Sequence, residues 1–113
     1  MATTAPKPIN WIVVVPDKTG TQEKRLEIRA QHLEGVKKHE ASGLVKMGGA
    51  VLNDVPEGAD PSKWSFYGST LNVVAATKDE VLELLRNDIY TTSGVWDVEN
   101  AQIWPAILAF RHP

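Results

Sequence analysis

Glu23-Lys24-Arg25-Leu26-Glu27-Ile28-Arg29-Ala30-Gln31-His32-Leu33 opens the longest stretch of helical periodicity in the chain, residues 22–40. At about 100° per residue, Leu26, Ile28, Leu33 and Val36 fall within one arc of roughly 160°. Glu23, Lys24, Glu27, Gln31, Glu34, Lys37 and Lys38 take the opposite side. Arg25, Arg29 and His32 break this division because they share the apolar arc. Residues three and four apart are neighbours on a helix, and polar groups removed from water without partners are strongly penalised. These three side chains are therefore either satisfied by other buried groups or arranged around a wet pocket. Thr21 stands at the N-cap position, and Gly43 lies where the chain should leave the helix.

The segments on either side of this helix read as strands and one further helix. Residues 11–15, Trp-Ile-Val-Val-Val, form a β-branched run ended by Pro16. Residues 44–52 read as a second strand in which Gly48 and Gly49 mark a bulge or a close approach. Pro56, Gly58 and Pro61 make residues 53–65 a long connection of the kind that often carries function. Residues 66–75 are a third strand, and Thr77 with Glu80 gives the capping pattern of a second helix. Val81, Leu82, Leu84 and Leu85 supply the buried side of that helix, which runs to about Arg86. A loop at 87–94 carries Asp88 and Tyr90, and a last strand is expected over 96–110, where Pro105 requires an edge or a bulge. The order strand, helix, strand, strand, helix, strand is the βαββαβ plan of a ferredoxin-like α+β domain, with a four-stranded antiparallel sheet and both helices on one face. Phe66, Val73, Val74, Ile103, Trp104, Ile107, Leu108 and Phe110 exceed what two short helices can cover. A homodimer joined through the open sheet face is expected to bury the excess.

Length and composition narrow the function. The 113 residues suit one domain over 11–113, preceded by a flexible leader at 1–10. A hydrophobic fraction of 42% argues against disorder, while a net charge of -2 without a Lys/Arg stripe argues against a nucleic-acid partner. With no cysteine, the chain has no disulfide, no thiolate ligand and no thiol nucleophile, as suits a cytoplasmic protein. Apolar runs too short for a bilayer argue against a membrane partner, and no secretory signal opens the sequence. His32, His39 and His112 are spaced too widely to suggest a metal site. Gly48-Gly49 lacks the flanking pattern of a phosphate loop.

The stretch from Glu23 to Leu33 resembles the first helix of the YciI-like, or YCII-related, family, in which an Arg is followed three positions later by His and then Leu. Met47-Gly48-Gly49-Ala50 is similar to the family's Gly-Pro strand end, and Gly68-Ser69-Thr70 to its Gly-Ser opening of the third strand. Asp88-Ile89-Tyr90 followed by Gly94-Val95 resembles its Asp-Pro-Tyr and Gly-Val motif. Gly49 and Ile89 stand where the family has proline, and residues 53–65 are longer than the usual connection. The resemblance implies a dimeric α/β barrel, in which two ferredoxin-like protomers pack their sheets together. It also implies a His and Asp pair in a cleft beside the sheet, with His32 as the histidine and Asp54 as the carboxylate. Asp60 is the alternative carboxylate.

A carboxylate on one ring nitrogen fixes the tautomer of an imidazole and leaves the other nitrogen to take a proton. Arg29 beside it suits a substrate carboxylate or phenolate, or the negative charge of an enolate. Ser69 is either a nucleophile or a hydrogen-bond donor to substrate, and Asp88, Tyr90 and Trp64 are placed as further binding residues. The expected protein is a small cofactor-independent enzyme that performs isomerisation, elimination, cyclisation or hydrolysis on a cyclic or aromatic metabolite, using His32 and Asp54. Two other readings stand beside it. One is a non-catalytic metabolite-binding or accessory module. The other is a structural dimer, with His32 a hydrogen-bonded core residue and Arg29 paired with Asp88 or Asp54.

Overall fold

The computed structural model describes residues 7–111. Strand β1 spans Ile9–Pro16, helix α1 Gln22–Ser42, β2 Val45–Leu52, β3 Phe66–Ala75, α2 Lys78–Asn87, the one-turn α3 Ile89–Thr92, and β4 Gln102–Ala106. The sheet order is β2-β3-β1-β4 and every neighbouring pair is antiparallel. This is the ferredoxin-like α+β arrangement that the element order predicts. Side-chain alternation turns Trp11, Val13 and Val15 of β1 and Leu71, Val73 and Ala75 of β3 toward the helices. There they meet Ile28 of α1 and Val81 and Leu85 of α2 in one core. No helix among the described residues is long and apolar enough to cross a membrane.

Several local expectations change. Ile9 and Asn10 pair with Ala75 and Val74, so the end of the expected leader belongs to the sheet. Residues 1–6 of that leader, and His112, lie outside the described residues. Thr21 does not cap α1 with its side chain, because its hydroxyl donates to the Lys18 carbonyl at 2.7 Å. Thr77 does cap α2, accepting from the Glu80 N–H at 3.2 Å, while the Glu80 carboxylate accepts from the Ala76 N–H at 3.0 Å. Residues 96–110 do not form one strand. Trp96 forms a single antiparallel bridge with Asp17, a short 3-10 turn follows at Val98–Asn100, and only Gln102–Ala106 joins the sheet. Pro105 pairs opposite Trp11 on an edge strand, where its missing N–H is tolerated.

The open sheet face is only partly as expected. Val73 lies in the core and Ile103 packs against it, so neither contributes to an exposed apolar face. Trp104 of β4 does, at 61% exposed, and Ile107 and Phe110 beyond the strand are 99% and 76% exposed. Beyond β4 the chain crosses to the opposite sheet edge, where Arg111 Nη1 donates to the Lys46 carbonyl at 3.4 Å.

The ladder shifts in β2 fall between Val45 and Met47, just ahead of the two glycines, and between Val51 and Leu52. The tightest backbone approach is at Gly68 instead, where a Cβ would stand 2.0 Å from the Val15 carbonyl oxygen and 2.8 Å from Pro16 Cα. Since both obstacles are backbone, β1 and β3 must separate to admit even a methyl group. Gly68→Ala is expected to lower stability by about 3 kcal/mol, read as a lower urea midpoint with an unchanged m-value. A midpoint equal to that of the unsubstituted chain would show that the strands part without loss.

Candidate active site

The buried stripe of α1 consists of Arg25, Ile28 and His32, spaced i, i+3, i+7. Two of its three members are polar, so their partners come from other elements. Arg25 Nη1 donates to both carboxylate oxygens of Asp17, at 2.7 and 2.9 Å, and Nη2 donates to Ser69 Oγ at 2.7 Å. The faces of its guanidinium meet rings, with Cζ 5.0 Å from the Phe66 centroid and 4.9 Å from that of Tyr90. Burial pushes the Asp17 carboxyl above its ordinary value of 3.8, while the charge and hydrogen bonds of Arg25 pull it back. Asp17 is held in place because its N–H donates to the Tyr67 carbonyl and its neighbour Lys18 donates to Val95.

Two turns along α1, His32 Nδ1 lies 2.8 Å from Asp88 Oδ1. The same oxygen accepts the Tyr90 N–H at 2.9 Å and so caps α3. A carboxylate only accepts, so in the neutral imidazole the proton sits on Nδ1 and the lone pair on Nε2. Nε2 has no hydrogen-bond partner among the described residues. The imidazole stacks on the Tyr90 ring at 3.9 Å and 15°, and meets the Trp96 ring edgewise at 5.4 Å.

His32 forms part of the wall of a cavity of about 110 Å³ between α1 and the sheet, shared with Arg29, Phe66, Ser69 and Tyr90. Gly48, Gly49 and Ala50 of β2 form the far side. The cavity exists because these residues present little or no side chain to α1. It is close to the ~150 Å³ cavity known to hold a benzene ring. Arg29 itself is exposed and makes no ion pair among the described residues.

The structure therefore brings His32, Asp88, Tyr90, Ser69 and Arg29 together and separates the others. Asp54, expected as the partner of His32, is exposed in the bend after β2, and Asp60 caps the Pro61–Lys63 turn by accepting from Ser62. Asp88 holds the histidine instead, because α3 follows α2 directly and lies against α1. Trp64 donates to the Gly58 carbonyl at 3.2 Å and lies outside the cavity lining, whereas its neighbour Phe66 is part of it. Asp17, Phe66 and Trp96 were not singled out from the sequence as site residues. Asp17 carried the only local signal, as a carboxylate directly after a strand. Among the described residues no three His, Asp or Glu side chains gather as metal ligands.

Residues 9–105 match the family described as the YCII-related domain. The chain belongs to the YCII-related family. It is 28% identical over 104 residues to Aspercryptin biosynthesis cluster protein B of Emericella nidulans, covering 92% of this YCII-related chain and 66% of that protein. It is 29% identical over 100 residues to Aspartate kinase FUB3 of Fusarium oxysporum f. sp. lycopersici, covering 88% of this chain and 18% of the kinase. The chain thus spans about two thirds of the first relative and under a fifth of the second. Among solved structures it resembles 5-chloro-2-hydroxyhydroquinone dehydrochlorinase (TftG) from Burkholderia phenoliruptrix AC1100, in complex with 2,5-dihydroxybenzoquinone. The TM-score is 0.69 at 23% identity, covering 93% of this chain and 96% of that one. The likeness shows that the two share the fold.

Burial also pushes the Tyr90 hydroxyl above its usual 10.0, opposed by the charges of Arg25 and Arg29. Its folded value exceeds its unfolded one, so the stability linked to this group is complete below 10.0 and is lost as the pH climbs through the folded value. With two tyrosines in the chain, ultraviolet titration should resolve a late-ionising component that Tyr90→Phe removes. Ionisation of both tyrosines by pH 10.0 would contradict the burial of that hydroxyl.

Proposed function

We propose that this chain is a small enzyme that abstracts a proton next to a carbonyl or phenol on a one-ring metabolite, with His32 as the base. Asp88 orients His32, and Arg29, Ser69 and Tyr90 contact the substrate. The observation that carries this reading is the histidine itself. Nδ1 is fixed by a partly buried carboxylate, Nε2 has no hydrogen-bond partner among the described residues, and the ring borders a cavity of about 110 Å³. The reaction class is isomerisation or elimination, with cyclisation and hydrolysis as variants of the same proton transfer. The relation to the dehydrochlorinase, whose structure holds a one-ring dihydroxyquinone, supports the substrate class. The relation to a biosynthesis-cluster protein supports small-molecule metabolism.

A direct test uses 5-chloro-2-hydroxyhydroquinone and related one-ring hydroquinones, with chloride release and ultraviolet spectra as readouts. His32→Asn keeps an N–H for Asp88 but has no Nε2, and is expected to lower turnover by roughly 10²–10⁴-fold while the circular dichroism is unchanged. Full activity in this folded variant would remove His32 from the chemistry. The match to under a fifth of an aspartate kinase supports a second reading, an accessory module that holds a metabolite for a larger enzyme. Saturable binding of 2,5-dihydroxybenzoquinone, with the ligand recovered unchanged and no turnover of any hydroquinone tested, would favour that second reading.

The working form proposed is a homodimer joined through the open sheet face, a reading supported by the exposure of Trp104 and Ile107. Light scattering should give twice the 12.4 kDa of one chain, and Trp104→Asp with Ile107→Asp should reduce it to one. A single-chain mass for the unsubstituted protein would reject the dimer.

A further inference from the structure

Ser69 Oγ receives two hydrogen bonds, one from Arg25 Nη2 at 2.7 Å and one from Trp96 Nε1 at 3.0 Å. Guanidinium and indole N–H groups only donate, so together they occupy both lone pairs of the hydroxyl. The hydroxyl proton is left over, and no acceptor for it exists among the described residues. Ser69 is 3% exposed, so bulk water does not supply one, and a buried donor without an acceptor is strongly disfavoured. Ser69 is among the residues that line the cavity beside His32. Tyr90, on the same cavity, is 1% exposed and its hydroxyl also has no partner among the described residues. Arg29 adds a cation that no carboxylate neutralises among the described residues.

We propose that this cavity is an oxyanion receptor, in which the Ser69 and Tyr90 hydroxyls donate to a phenolate or enolate oxygen of a one-ring ligand and Arg29 balances its charge. This rests on the acid/base reading of His32 and deepens it. When His32 Nε2 takes the proton from carbon, the C–H electron pair moves toward the adjacent carbonyl and the charge settles on its oxygen. Donors already in place at that oxygen stabilise the enolate without reorganisation. The same geometry assigns Ser69 its role. With both lone pairs engaged it donates, and it does not attack as a nucleophile.

The probe is 4-nitrophenol, whose anion and neutral form absorb at different wavelengths. The wild-type protein is expected to bind the anion in preference to the neutral form, so that the bound probe ionises at lower pH than the free probe. Ser69→Ala and Tyr90→Phe should each weaken anion binding at least roughly tenfold, while Ser69→Thr retains it. If Ser69→Ala fails to fold because Arg25 and Trp96 lose their acceptor, Tyr90→Phe decides the matter, since its ring still stacks on His32. Equal binding of anion and neutral probe, no binding at all, or unweakened binding in the folded variants overturns the receptor. Unweakened binding together with loss of turnover in His32→Asn would reject the receptor alone. Weakened binding together with full turnover in His32→Asn would reject the acid/base reading alone.

Discussion

A guanidinium taken out of water must be answered on every side, and Arg25 is the point at which this chain meets that requirement. Its two terminal nitrogens reach the end of β1 through Asp17 and the start of β3 through Ser69, and its faces reach Phe66 and Tyr90. Three segments far apart in sequence, the end of β1, the start of β3 and α3, are thereby fixed against α1. Removing either charge would leave the other buried and unpaired, a loss of about 3–5 kcal/mol in comparable sites. A well-packed apolar replacement of the whole set often matches such a pair in stability, so its value here lies in arrangement. Arg25 holds Ser69 in one orientation and supports the ring that stacks on His32.

The second polar member of the buried stripe is governed by a shared atom. Asp88 Oδ1 accepts from both the first turn of α3 and His32 Nδ1. Forming the α3 cap and orienting the imidazole are therefore one local event. Tyr90 belongs to that same turn and carries the ring that contacts both Arg25 and His32. Displacement of α3 would shift the carboxylate, the stacked ring and the cavity wall at once.

This coupling explains what the sequence reveals and what it hides. Strand alternation, the helical period at 22–40 and the Thr77-x-x-Glu80 pattern are local signals, and the corresponding elements form where those signals lie. The partners of the buried polar groups are not local. Ser69 is 44 residues from Arg25 and Asp88 is 56 from His32. No spacing rule joins them, and the family resemblance points to Asp54 where the fold supplies Asp88. The helical period places Arg25 and Arg29 on one arc, whereas only the stripe through Arg25, Ile28 and His32 is buried. Arg29 and Leu33 lie at its margin and remain exposed.

That margin is where stability yields to function. Leu33 and Val36 face a strand that offers Gly48, Gly49 and Ala50, so the apolar side of α1 meets space where larger side chains would close the gap. At Gly48, paired with Leu71 on the helix side of the sheet, a Cβ would meet the flexible end of Leu71 at 3.0 Å and the Thr70 carbonyl oxygen at 3.8 Å. A larger residue at Gly48 would therefore ask chiefly that flexible end to give way, and it would bury apolar area now left half exposed. A sequence shaped for stability alone would use that opportunity. This one leaves it unused beside a ring nitrogen, a hydroxyl proton and an arginine that find no partner among the described residues. The unfilled space is thus coherent with the polar groups around it, because filling it would remove a volume that His32, Ser69 and Arg29 share.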